Sequence, residues 1–334
     1  MDGALTLEEG SLEDFLTILA TNFAASKPTI FEKIAEKLSP ITQRILQYNP
    51  IGFAQKNVAP HYNISDEIYE LMLDNDRHYS CAYFTSPDNS LEQAQQDKLR
   101  HIAAKLRIEP GMRVLDIGSG WGGMAMFLAR EFGADVTGVT LSSEQAAKAT
   151  ARAKETGLEH KVRFLLKDYR ELDGTFDRIV SVGMMEHVGV GHYRELFLKV
   201  KALLSPAGVA LFHCIGRLDG PGNTNPWLRK YIFPGGYAPA LSEVTKVVEK
   251  TDLLMTDIEI LRLHYAYTLG EWLKRFRANR DKVIKLYDER FFRMFEFYLI
   301  SCEMDFRYLS TMVFQMQLTK DVNVVPICRD YMGS

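Results

Sequence analysis

From about residue 105 onward, short apolar runs alternate with amphipathic stretches, and this alternation carries most of the information about the fold. Strands are expected at Arg113–Ile117, Asp135–Val139, Val162–Leu166, Phe176–Val182 and Val209–Ile215, each a short run suited to a buried or half-buried pleated position. Helical spacing fits the intervening Met124–Phe132, Ser143–Thr156 and His192–Leu204. Strands that alternate with helices predict an α/β domain with a mostly parallel sheet covered on both faces. Ile258–Leu263 and Thr311–Leu318 read as a sixth and a closing strand, seven in all. Lys282–Tyr308 reads as one long helix carrying Phe291, Phe292, Phe295, Phe297 and Tyr298.

Before this region the pattern is different. Ser11 and Asp14 have the spacing of a capping box, and Leu12, Phe15, Leu16 and Leu19 follow at helical intervals. A second helix is expected after Ser26, with Pro28 in its first turn and Phe31, Ile34, Ala35 and Leu38 on one face, until Pro40 interrupts it. Residues 1–50 therefore read as a helical segment that packs on a main domain spanning residues 51–334. An apolar surface for a membrane or partner is the alternative. Arg217 to Ala240, rich in glycine and proline and carrying Trp227, Tyr231, Phe233 and Tyr237, is too long for a simple connection and is expected to form a lid or a substrate wall.

Composition narrows the class. With 334 residues, 46% hydrophobic and 25% charged, the chain is large enough for a substantial core. A net charge of -3 gives no footprint for nucleic acid. Cys81, Cys214, Cys302 and Cys328 are far apart and form no metal-type pair, which fits a reducing compartment. No apolar run reaches the roughly 18 residues of a membrane span, and acidic residues at Glu8, Glu9, Glu13 and Asp14 are unlike a signal peptide. A cytoplasmic protein is expected, with surface contact to a membrane left open.

The candidate chemistry centres on Val114-Leu115-Asp116-Ile117-Gly118-Ser119-Gly120-Trp121-Gly122-Gly123, where a strand runs into a glycine turn and then a helix. Only glycine lets backbone come so close to a nucleotide-like ligand. Gly118, Gly120 and Gly123 match the dinucleotide pattern, but that class wants an acidic residue about 20 positions on, where this chain has Thr140 followed by Leu141 and Ser142. Asp116 directly before the turn would repel a pyrophosphate yet suits the cationic methionine end of S-adenosylmethionine. Asp168 after the third strand is placed to accept a hydrogen bond from an adenine amino group. These features favour a methyltransferase, with a dinucleotide oxidoreductase as rival.

Several further segments, taken together, resemble the cyclopropane-fatty-acid-phospholipid synthase family, which includes the mycolic-acid cyclopropane synthases. They are His61-Tyr62-Asn63-Ile64-Ser65, Tyr79-Ser80-Cys81-Ala82-Tyr83-Phe84, Gly183-Met184-Met185-Glu186-His187-Val188-Gly189, His213-Cys214-Ile215-Gly216, Tyr231-Ile232-Phe233-Pro234-Gly235-Gly236 and His264-Tyr265-Ala266-Tyr267-Thr268-Leu269, in family order over roughly residues 60–320. The resemblance implies a Rossmann-like class I methyltransferase with a seven-stranded, mostly parallel sheet and lid insertions. It implies transfer from S-adenosylmethionine to a cis double bond of a phospholipid acyl chain, with proton loss closing a three-membered ring and a bound bicarbonate as base. By motif, Glu186, His213 and Tyr265 would hold that ion through side chains, and Cys81 and Ile215 through backbone. Tyr79, Ser80, Asp116, Gly118, Gly120, Trp121, Gly122, Thr140, Leu141, Ser142, Gln145, Asp168 and Tyr169 would hold the donor. The implied partners are an unsaturated phospholipid and, transiently, the inner membrane surface, with a homodimer as a candidate assembly. Full-length bacterial members carry a larger N-terminal domain, and Met1 to Thr6 resembles its interior, so a shortened or late-starting chain is expected.

An alkene attacks a sulfonium methyl without an activating nucleophile, so alignment and protection of the resulting cation are the tasks left to the protein. Aromatic faces stabilise such charge by roughly 0.5–2 kcal/mol each, which singles out Tyr62, Tyr79 and the aromatics of residues 231–237. His187 is expected only to pack or cap, and the cysteine thiols to be inert. A related methyltransferase giving methylated or methylene fatty acids, one acting on a small amine, and a catalytically dead scaffold remain the alternatives.

Overall fold

The structure is a computed structural model that describes residues 1–25 and 64–333. The expected helix after Ser26, and His61, Tyr62 and Asn63, lie outside the described residues. Seven strands form one sheet: β1 (Arg113–Ile117), β2 (Asp135–Thr140), β3 (Val162–Leu166), β4 (Phe176–Val182), β5 (Leu204–Arg217), β6 (Leu254–Ile260) and β7 (Thr311–Thr319). Their order is β3-β2-β1-β4-β5-β7-β6. The first five strands are parallel, while β7 runs antiparallel between β5 and β6. The strand order reverses between β1 and β4, and the carboxyl ends of strands at such a reversal are where open α/β sheets bind ligands.

The central strands are buried on both faces. Val114 and Leu115 of β1 and Ile179 and Val180 of β4 are sealed beneath helices on either side, as the near-continuous apolar runs of parallel strands require. One face is covered by the helices Leu91–Leu106 and Gly123–Phe132, the other by Tyr193–Leu203 and Leu241–Val248. A third apolar cluster, rich in aromatic rings, joins His264–Ala278 and Glu289–Tyr308 to the segment before Leu91.

Two elements depart from the periodicity. β6 starts four residues before the expected Ile258 and ends before Leu263. Asp257 and Glu259 mask its apolar alternation, while Arg262 (φ 33°) turns the chain into the next helix. The expected single helix Lys282–Tyr308 is two, Arg280–Leu286 and Glu289–Tyr308. Asp288 separates them by accepting a hydrogen bond from the Phe291 N–H at 2.6 Å, an N-cap that restarts the helix.

The N-terminal capping box is present. Ser11 N–H donates to Asp14 Oδ2 at 2.8 Å, Asp14 N–H returns a bond to Ser11 Oγ at 3.1 Å, and the helix Leu12–Ala25 follows. Leu16 and Ala20 are buried and Thr17 Oγ1 donates to Met304 Sδ at 3.1 Å, so this helix packs on Glu289–Tyr308. Its outer face leaves Ile18, Leu19 and Phe23 exposed.

Glycine is demanded most sharply at Gly122, which sits at φ 84° with Phe164 2.5 Å from where a Cβ would stand. Gly122→Ala is expected to cost about 1–3 kcal/mol, combining left-handed strain with displacement of the half-buried Phe164 ring, and urea denaturation monitored by tryptophan fluorescence measures it.

Candidate active site

The first cavity, of about 190 Å³, opens at the carboxyl ends of β1, β2 and β4. Of the thirteen residues expected to grip the donor, Tyr79, Ser80, Asp116, Gly118, Gly120, Trp121, Thr140, Leu141, Gln145, Asp168 and Tyr169 line it. Gly122 and Ser142 do not. Gly122 packs the turn against β3, and Ser142 caps the helix Ser143–Glu155 through the Gln145 N–H.

Buried polar atoms show what this cavity is built to meet. Asp116 is 2% exposed, and its Oδ2 has no hydrogen-bond partner among the described residues. Burial pushes its carboxyl up to about 7, against the pull of the Lys98 ammonium. Gln145 Nε2 and Ser119 Oγ are also buried without partners among the described residues. Buried groups in this state call for a polar ligand. An amino acid-bearing nucleoside supplies an ammonium for Asp116 and acceptors for the amide and hydroxyl, so the residues fit S-adenosylmethionine. Asp168 already takes Arg170 in a fork, at 2.9 and 2.6 Å, and the Arg170 N–H at 2.9 Å. A carboxylate has about four lone-pair sites, which leaves one for an adenine amino group.

Lys98 was not among the expected site residues. It is 1% exposed, lines the donor cavity, and donates to Ser80 Oγ at 3.0 Å and Gln95 Oε1 at 2.6 Å. Gln95 Nε2 in turn donates to the Ser80 carbonyl at 3.0 Å, so two polar side chains from one helix turn fix the Tyr79–Cys81 segment. Burial lowers the Lys98 ammonium to about 8. The signal was available in sequence: Gln95 and Lys98 sit three apart within the stripe Leu91, Ala94, Leu99, Ile102 that faces the core.

The second cavity, of about 840 Å³, shares Tyr79, Ser80, Gly183 and His187 with the first. Cys81, Glu186, His213, Ile215 and Tyr265 all line it, which brings together residues from four separate segments. Glu186 sits in a 3₁₀ turn after β4. Its Oε1 accepts the Ile215 N–H at 2.7 Å, and its Oε2 is buried without a partner among the described residues. The Ile215 backbone thus holds the glutamate directly. Burial raises the Glu186 carboxyl to about 7 and lowers the His213 imidazole to about 3, the latter aided by the Lys98 and Lys105 charges. His187, expected only to pack, stands on the wall common to both cavities.

Aromatic rings converge on that shared wall. Tyr79 stacks on Trp272 at 5.1 Å, meets Tyr69 edge-on at 5.0 Å, and shares a 2.8 Å hydroxyl contact with Tyr298. The 217–240 segment supplies Phe233 and Tyr237 to the cavity wall. The rings Phe291, Phe292, Phe295, Phe297 and Tyr298 lie in the aromatic core instead, and the long helix reaches the cavity through Cys302, Asp305, Phe306 and Tyr308. Burial pushes the Cys81, Cys214 and Cys302 thiols up, away from thiolate chemistry.

Fold and site together define an S-adenosylmethionine-dependent class I methyltransferase. Residues 53–316 match the model of the mycolic acid cyclopropane synthetase family, and the chain belongs to that family. It is 43% identical over 262 residues to the cyclopropane-fatty-acyl-phospholipid synthase of Escherichia coli, covering 78% of this chain and 67% of that protein. It is 35% identical over 277 residues to cyclopropane mycolic acid synthase 3 of Mycobacterium tuberculosis, covering 79% and 96%. The solved structure of mycolic acid cyclopropane synthase CmaA1 complexed with SAH and CTAB superposes with a TM-score of 0.75 at 32% identity, covering 81% of this chain and 98% of that one.

Because the ionised Asp116 is the form that pairs with an ammonium, donor affinity is expected to fall as pH drops below about 7 and to be full above it. Asp116→Asn should weaken binding by about tenfold or more and flatten this profile. Calorimetric titration with S-adenosylhomocysteine from about pH 6 to pH 8 provides the measurement.

Proposed function

We propose that this enzyme converts a cis double bond in the acyl chain of an unsaturated phospholipid to a cyclopropane, taking the added carbon from S-adenosylmethionine. The observation that carries this reading is the wall of Tyr79, Ser80, Gly183 and His187 shared by a donor cavity, in which Asp116, Ser119 and Gln145 hold buried polar atoms without partners among the described residues, and a much larger cavity lined by Tyr69, Phe233 and Phe306. An olefin has no group to be deprotonated or ionised before it reacts. Its site needs apolar walls, a face toward the donor and protection of positive charge. Tyr79, Tyr69 and Phe233 offer ring faces at the second cavity, each worth roughly 0.5–2 kcal/mol to a nearby cation without bonding to it. Buried thiols kept protonated are poor traps for that charge.

When bound, S-adenosylmethionine supplies an electrophilic methyl carbon and bicarbonate a small base that is slow to alkylate. Glu186 Oε2, His213 and the Tyr265 hydroxyl would hold the ion, with the Cys81 backbone beside them. A glutamate next to an anion is tolerable here because burial brings its carboxyl to about 7. One hydrogen can then be shared between the two, so a bare charge pair does not arise. The Ile215 N–H keeps Oε1 fixed and leaves Oε2 as the atom that presents or accepts this hydrogen.

Among the described residues no helix is long and apolar enough to cross a membrane. A lipid substrate would then be reached from the bilayer surface. Phe23, Leu218 and Leu309 are exposed apolar residues that also line the second cavity, and they would form its lipid-facing rim.

Incubation of the protein with unsaturated phospholipid vesicles and labelled S-adenosylmethionine, followed by mass spectrometry of the fatty acids, is expected to show gain of one CH2 with loss of the double bond. A methylated or methylene product would replace ring closure in this scheme. Glu186→Gln should retain donor affinity but reduce turnover by about two orders of magnitude or more, and near-normal turnover would remove Glu186 from the base-holding role.

A further inference from the structure

His213 belongs to a row of polar side chains that runs across three strands. The register pairs His213 of β5 with Gln315 of β7, and Gln315 with Glu259 of β6. All three lie on the face covered by the helix Leu91–Leu106, from which Lys105 reaches into the row. Lys105 Nζ donates to Gln315 Oε1 at 2.8 Å and to Glu259, with Asp257 at 3.8 Å. Gln315 Nε2 faces His213 Nδ1 at 3.2 Å. His101, one helical turn before Lys105, closes the outer end on Glu259 Oε2 at 2.6 Å. Gln315 is fully buried, and Lys105 and His213 nearly so.

The hydrogen-bonding roles in this row follow from chemistry. An ammonium has hydrogens to give and no lone pair to accept with. The Gln315 atom beside Lys105 must therefore be the carbonyl oxygen, and the atom facing His213 must be the amide nitrogen. That nitrogen is donor-only, so Nδ1 of His213 has to accept. A neutral imidazole that accepts at one nitrogen carries its hydrogen on the other. Burial, with Lys98, Lys105, His101 and His264 nearby, holds the ring neutral.

We infer that Gln315 and Lys105 are positioning residues that lock His213 in the tautomer with hydrogen on Nε2, making the ring a fixed hydrogen-bond donor to the second cavity. The inference rests on the reading of that cavity as the acceptor site. It gives the histidine one task, which is to hold an oxygen acceptor. With Nε2 protonated and Nδ1 engaged by the amide, His213 is not the group that takes the reaction proton. The outer members, Glu259 and His101, anchor Lys105 so that the amide cannot rotate to present its oxygen to the ring.

The test is multiple-bond proton–nitrogen NMR on full-length protein labelled with 15N-histidine, with His213 assigned by its loss in His213→Asn. The wild type is expected to show the Nε2–H pattern without titration from about pH 6 to pH 8. Gln315→Glu places an acceptor against Nδ1 and is expected to move the hydrogen there. Gln315→Leu, an apolar replacement that spares Lys105 its partner Glu259, is expected to leave both tautomers in exchange. Both variants should bind S-adenosylhomocysteine within about twofold of wild type while turnover falls by about tenfold or more, the split of a group acting only on the acceptor side. An Nδ1–H ring in the wild type, or an unchanged tautomer in both variants, overturns the lock. A shifted tautomer with unchanged turnover overturns the positioning role. Absence of any lipid product from a wild type that shows the Nε2–H pattern would instead count against the proposed function, leaving the tautomer assignment standing.

Discussion

The hydrogen bond from the Ile215 N–H to Glu186 Oε1 fixes how the two halves of the site relate. Glu186 follows β4 in a short 3₁₀ turn, and Ile215 is near the carboxyl end of β5. The parallel pairing of these strands brings their ends together, and the carboxylate bridges them. Its backbone carbonyl accepts a second bond, from the Tyr237 N–H at 2.9 Å, so the wall-forming 217–240 segment is tied to the same residue. One buried acid thereby connects the sheet, the loop after β4 and the cavity wall.

Burial moves Glu186 and His213 in opposite senses, since it disfavours whichever form carries charge. The glutamate rises toward neutrality and the histidine falls toward it. At these two positions the protein therefore contributes little fixed charge, and the charged pair Arg217 and Asp219 lines another part of the cavity. The donor cavity is organised differently. Asp116 and Lys98 stand buried near one another there and moderate each other's shift, as befits a ligand that carries both an ammonium and a carboxylate.

Much of this was legible in the chain, for identifiable reasons. β1, β4 and β5 announce themselves because parallel strands buried on both faces carry apolar runs such as Val114-Leu115, Ile179-Val180 and Val209 to Phe212, while the edge strand β3 is legible from its apolar Phe164-Leu165-Leu166 although it is mostly exposed. The glycine turn is legible because its conformations exclude other residues. β6 is blurred because Asp257 and Glu259, which serve the polar row, occupy positions where apolar side chains would mark a strand. The break at Asp288 is hidden because a cap within a continuous helical pattern resembles an ordinary surface aspartate. Lys98, Lys105 and Gln315 were missed for a common reason. Each acts through neighbours that only the folded chain supplies, and a lysine or glutamine on a core-facing stripe is visible in sequence only as an anomaly. The family segments located Glu186, His213 and Tyr265, but not that the Ile215 N–H is committed to the glutamate.

The antiparallel placement of β7 has a consequence for how the site comes into being. Among the described residues, β6 has no neighbour in the sheet other than β7, and β7 follows all the other strands in sequence. The donor-binding turns arise from adjacent βα units between residues 113 and 169, whose contacts are local in sequence. The acceptor side instead joins Cys81 to Gln315 across more than half the polypeptide. During synthesis the donor-binding half can thus mature well before the second cavity, which is completed only when β7 slots between β5 and β6.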